Sequence, residues 1–113
     1  MYRGTTPNIV IKVNSDLDLS AMEQIWVTFK NKSAEKTYDK EVIEVDAINN
    51  TLSLTMSQED TLAFQTCGSM QGKVEVQLRL LDDEGMAYAS NINEVNLLRI
   101  LKEGVISGGN DNG

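Results

Sequence analysis

With 113 residues, the chain has the length of one domain and can bury a core without disulfide or metal staples. Its net charge of −7 opposes contact with phosphate backbones, which are bound through Lys and Arg. It has no histidine and one cysteine, Cys67, which excludes an intrachain disulfide and removes the usual base for a Ser or Cys nucleophile and the commonest metal ligand. Hydrophobic residues at 41% and charged residues at 24% are ordinary for a globular domain. No run approaches the ~18 apolar residues of a membrane span, and the opening MYRGTTPNIV has no apolar leader core, so synthesis and folding in the cytoplasm are expected.

The elements follow in chain order. Tyr2 to Asn8 is turn-rich, and Pro7 suits a strand start. NIVIKV alternates Ile9, Ile11 and Val13 with Val10 and Lys12, the period of a strand with one buried face. NSDLDLS reads as a loop whose Leu17 and Leu19 turn back to the core. In EQIWVTFKNK, Ile25, Val27 and Phe29 are expected inward, with Trp26, Thr28 and Lys30 on the other face. Trp26 there is either a partly covered aromatic or an interface anchor.

A polar edge strand or loop follows, then a strand around Val42 to Ala47. Asn49 and Asn50 tolerate the positive φ of a tight turn, and a strand from Thr51 to Met56 puts Leu52, Leu54 and Met56 inward. SQEDTLAF breaks the alternation. Ser57 with Asp60 three residues on resembles a capping box, which predicts a short helix over Gln58 to Phe64. Val74, Val76, Leu78 and Leu80 mark another strand, DDEG a hairpin turn ending at Gly85, and MAYAS a return strand. A last strand is expected over Ile92 to Ile100, and a flexible polar tail over 104–113, leaving 1–103 as the domain.

About seven short strands with one short helix predict an all-β fold, an antiparallel Ig-like β-sandwich. No motif carries catalysis. Glu59 and Asp60 sit where acids favour the positive end of a helix. Asp16, Asp18 and Ser20 begin like a calcium loop, but Ala21 and Val27 stand where Gly and Glu belong. GSMQG places Ser69 second rather than third, so it is not a nucleophile elbow. Without a histidine to activate it, Cys67 is expected to be a buried or half-buried thiol. The reading is therefore not an enzyme, with no catalytic residue, metal or cofactor. Ile9 and Trp26 are the candidate interface residues, and the segment near Ile9 and the strand after Asn91 are the candidate sheet edges.

EDTLAFQTC is similar to the E-D-T-A-V-Y-Y-C corner of antibody variable domains. A residue is inserted, Gln65 stands in place of the corner tyrosine, and there is no second cysteine, so the likeness is one of turn chemistry. A broader resemblance runs over residues 3–100. RGTTPNIVIKV, DLS, IWVTFK, LSLTMSQEDTLAF and GKVEVQLRLLDDEGMAYAS follow one another as in small Ig-like proteins of Firmicutes phages and prophages. Their order is similar to that of the N-terminal Ig-like domain of phage baseplate upper proteins. The resemblance implies a virion-associated structural or adaptor protein of the baseplate or tail, acting through protein–protein contacts. Its partners would be other phage structural proteins, with a symmetric homo-oligomer as one arrangement, and neither nucleic acid nor membrane. The alternative is a carbohydrate-binding or cell-surface adhesion module.

Overall fold

The computed structural model describes residues 1–14, 16–66 and 68–108. The expectation for Cys67 and the end of the expected tail, 109–113, lie outside the described residues. The strands are β1 Asn8–Lys12, β2 Met22–Lys30, β3 Glu35–Tyr38, β4 Glu44–Asp46, β5 Thr51–Thr55, β6 Gln71–Asp82, β7 Ala87–Ala89 and β8 Asn93–Leu98. One α-helix, α1 Gln58–Ala63, joins β5 to β6. The expected seven strands become eight because the polar segment EKTY forms β3.

The strands form two antiparallel sheets. One is three-stranded, ordered β1-β5-β4. The other is five-stranded, ordered β3-β2-β6-β7, with β8 also on β6. β7 and β8 share one edge of β6 end to end: β7 lies along Arg79–Leu81 and β8 along Gln71–Val76. Ser90 closes the gap between them, its N–H donating to the Leu78 carbonyl and its Oγ accepting from the Leu78 N–H. The arrangement is an Ig-like β-sandwich. In the Ig convention β1, β5 and β4 take the places of strands B, E and D, and β3, β2, β6 and β7/β8 those of C′, C, F and G. The place of strand A, outside β1, holds no strand among the described residues.

The alternating faces predicted from sequence make the core. Ile25, Val27 and Phe29 from β2 and Val74, Leu78 and Leu80 from β6 meet Leu52, Leu54 and Met56 from the opposite sheet, all buried. The loop before β2 forms a 3-10 turn over Leu19–Ala21, capped by the Asp18 carboxylate, which accepts from both the N–H and the hydroxyl of Ser20. Those bonds, which favour the ionised form, hold Asp18 below the usual carboxylate range. The strand expected over Val42 to Ala47 is shorter. Residues 39–42 are held in a turn, with Val42 N–H donating to the Asp39 carbonyl and Glu41 N–H to its carboxylate, so pairing begins at Glu44. In the β4–β5 turn Asn50, at φ 55°, is the only non-glycine with positive φ among the described residues. Asn49 does not share that conformation; it donates to Asp46, which anchors the turn.

The helix closes one end of the sandwich. Ser57 caps it by accepting from the Asp60 N–H, as the capping-box pattern predicts. The reciprocal half of the box is replaced by a tertiary contact. The Asp60 carboxylate accepts from the Tyr38 hydroxyl and lies 3.7 Å from Lys36 Nζ. Tyr38 also stands edge-on to Phe29, with ring centroids 5.8 Å apart. Phe64, the C-cap, is fully buried beneath the helix and Leu62 half-buried. Arg3, 4% exposed, binds this corner from outside: it donates to the carbonyls of Phe64 and Leu62 and pairs with Glu103 at 2.6 Å.

Candidate functional site

Residues opposite one another across an antiparallel pair share a face, so register fixes what the outer face of the five-stranded sheet presents. Trp26 on β2 faces Arg79 on β6, Thr28 faces Gln77, Lys30 faces Glu75 and Gln24 pairs with Leu81. Beyond β6, Arg79 faces Ala89 and Leu81 faces Ala87. The small β7 side chains leave the centre of the sheet uncovered.

Trp26 is 45% exposed, and the Arg79 guanidinium carbon lies 5.5 Å from its ring centroid. A cation in that position is attracted by the ring quadrupole, by about 0.5–1 kcal/mol at an exposed site. Gln24, Trp26, Arg79, Leu80, Leu81 and Ala87 enclose a depression of about 170 Å³. That is below the ~300–1,000 Å³ of small-molecule pockets and suits a single protruding side chain. Around it the face is polar: the hydroxyls of Thr28 and Thr37 lie 3.0 Å apart, and Lys30–Glu35 and Lys73–Glu94 form surface pairs at 3.5 and 3.3 Å. The geometry is an exposed aromatic–arginine pair beside a small depression, with polar residues elsewhere on the same face.

Ile9 has a different position. It lies on β1, in the other sheet, and its half-buried side chain points toward the core, opposite Leu54. The structure therefore does not bring Ile9 and Trp26 together. Ile9 lines a groove of about 530 Å³ at the side of the sandwich where the two sheets part. Its walls are Ile9, Ile11 and Val13 on one side and Val76, Tyr88 and Val95 on the other.

Of the two expected edges, β1 pairs with β5 alone among the described strands. The outer edge of β8 is partly occupied: Leu98 N–H donates to the Met1 carbonyl and its carbonyl accepts from the Arg3 N–H. Three bases of this region each have a partner: Lys30 pairs with Glu35, Lys36 with Asp60, and Lys40 donates to the Met22 carbonyl.

Sequence reasoning missed Arg79 as the partner of Trp26, because only the β2–β6 register identifies it. It also missed the groove, since alternation shows that Ile9 points inward but not whether anything covers it. Compared with known proteins, the chain matches no family model, no curated protein and no solved structure.

Proposed function

We propose that this chain is a non-enzymatic structural or adaptor protein of a phage or prophage virion, in the baseplate or tail, and works through contacts with other virion proteins. The observation that carries the contact role is the Trp26–Arg79 pair, exposed on the two central strands of the five-stranded sheet and lining a side-chain-sized depression. Trp and Arg are the residue types that concentrate binding energy at protein interfaces. The virion setting rests on the order of strand and turn motifs over residues 3–100. On this reading the protein is made in the cytoplasm, is carried in the particle, and needs no cofactor, nucleic acid or membrane.

The test is incorporation into particles. A lysogen carrying the gene is induced, virions are purified on a density gradient, and the chain is quantified by mass spectrometry. The wild-type chain should band with the particles, and a Trp26→Ala/Arg79→Ala chain should be depleted about tenfold or more, as expected when hot-spot residues are truncated. A wild-type chain found only in the soluble fraction refutes the proposal.

One observation favours carbohydrate binding as the second reading: Gln24 lines the depression with Trp26, and Thr28 and Gln77 lie on the same face of the sheet. Arg79, however, already lies against the ring on which a sugar would stack. Glycan-array binding that disappears in Trp26→Ala would favour this reading.

A further inference from the structure

We propose that β1 is an interface between two copies of this chain, each supplying the strand that the other lacks beside β1. The inference is independent of the Trp26 face, which lies on the other sheet.

The backbone of β1 dictates the pairing. The Pro7 carbonyl accepts from Met56 N–H, and Val13 N–H donates to the Asn50 carbonyl. Odd-numbered residues of this segment therefore turn their backbone groups toward β5, and Asn8, Val10 and Lys12 turn theirs to the free edge. An edge of unpaired donors and acceptors is a template for another strand.

A second β1, antiparallel about a twofold axis at Val10, meets that template in register. Asn8 faces the partner's Lys12, Val10 faces the partner's Val10, and Lys12 faces the partner's Asn8. Each is a hydrogen-bonded pair, so about six backbone bonds form, two from each of the three pairs. The register is self-complementary, as a twofold interface requires.

Charge agrees with this arrangement. No like charges face one another, and the two Lys12 side chains are separated by four residues along the strands, about 14 Å at ~3.4 Å per residue, beyond the screening length of ~8 Å. The apolar groove gives the association its driving force. In this register the partner's Ile9 and Ile11 share a face with Ile9 and Ile11 of the first copy and extend that wall over Val76, Tyr88 and Val95. The two three-stranded sheets become one continuous sheet. A five-residue strand pair is at the small end of specific interfaces.

Light scattering coupled to size-exclusion chromatography tests this, from low-micromolar to near-millimolar protein. The wild-type chain should pass from the mass of one chain to that of two. Val10, 61% exposed, can be changed without entering the core. Val10→Lys and Val10→Glu each place like charges face to face at the axis and should weaken association about 100-fold or more. An equimolar mixture of the two variants places Lys opposite Glu and should restore the dimer. Three results overturn the proposal: a wild-type monomer throughout, a dimer indifferent to Val10→Lys, or a mixture that stays monomeric.

Discussion

Phe64→Ala measures how far the sandwich depends on its helical corner. The Phe64 ring has 0% exposure and ends the six-residue helix that joins the two sheets. Fully burying such a side chain is worth about 1.5–3 kcal/mol of transfer free energy. A cavity that cannot collapse adds about 24 cal/mol per Å³ of the space left behind. Collapse is hindered here because the backbone at Phe64 is held from outside: its carbonyl accepts from Arg3 Nε at 2.6 Å, and Arg3 also holds Leu62. These bonds survive the substitution, so the loss is one of packing, about 3–5 kcal/mol. Urea unfolding followed by fluorescence of the single tryptophan would show a lower midpoint with unchanged slope. At about 4 °C per kcal/mol for a domain of this size, the melting temperature falls by about 12–20 °C. The half-buried Leu62, changed to Ala, should cost clearly less and serves as the control. A loss below about 1 kcal/mol at Phe64 would refute the reading of the helical corner as a packed end of the core.

Arg3→Met leaves the Phe64 carbonyl without its side-chain donor and the Leu62 carbonyl with only the longer bond from Gln65, and should cost about 2–4 kcal/mol in the same assay, whereas Glu103→Gln, at the exposed end of the ion pair, should cost less than about 1 kcal/mol. Burial, and then the adjacent Asp60 carboxylate, push the Tyr38 phenol well above its ordinary value of 10.0. The unfolded chain therefore ionises first. Tyr38 contributes stability that is intact below pH 10 and falls away as the pH rises beyond it, and Tyr38→Phe should flatten that alkaline decline in thermal unfolding. Hydrogen bonds from Asn49 hold Asp46 below the usual carboxylate range, and those from the Met86 and Glu84 amides do the same for Asp82. Their contribution is present above pH 3.8 and is lost as the pH falls through their lowered values, so Asp46→Asn/Asp82→Asn should show a shallower acid transition. Ser57→Ala removes the acceptor for the Asp60 N–H and should cost about 1 kcal/mol.

Much of the fold was legible because period-two alternation is a local property. Ile25, Val27 and Phe29, and Leu52, Leu54 and Met56, declare their faces without reference to any other strand, and all six are buried. The cap at Ser57 was legible for the same reason, since donor and acceptor lie three residues apart. What stayed hidden depends on long-range pairing. Arg3 reads as a surface charge in a polar lead, yet it is buried because its donors meet carbonyls about sixty positions away. Ile100 closes a segment that was expected to be strand, but β8 ends at Leu98, with one further bond from Arg99 N–H to the Met70 carbonyl, while Met1 and Arg3 hold the outer edge of Leu98.

The same distinction separates the two candidate interface residues. Trp26 could be placed on a polar face by alternation alone, and its meaning changed only when register set Arg79 beside it. Ile9 alternates inward as a core residue should, and the core position it reaches is open along one side. A strand that is amphipathic, hydrogen-bonded along one edge and apolar toward an unfilled groove satisfies local folding rules while leaving part of its backbone and part of its inner face uncommitted. Natural sandwiches blunt such an edge with a proline, a bulge or an inward-pointing charge. Here Pro7 lies just before β1 and the strand's one charge, Lys12, sits at its far end, so the outward N–H and C=O groups of Asn8 and Val10 are left without either device. An unprotected edge beside a hydrophobic groove is a liability in a monomer and an asset in an assembly. That asymmetry is the physical ground of the proposed pairing of β1 with a second copy, and a chain that stays monomeric at near-millimolar concentration would show that the edge is tolerated rather than used.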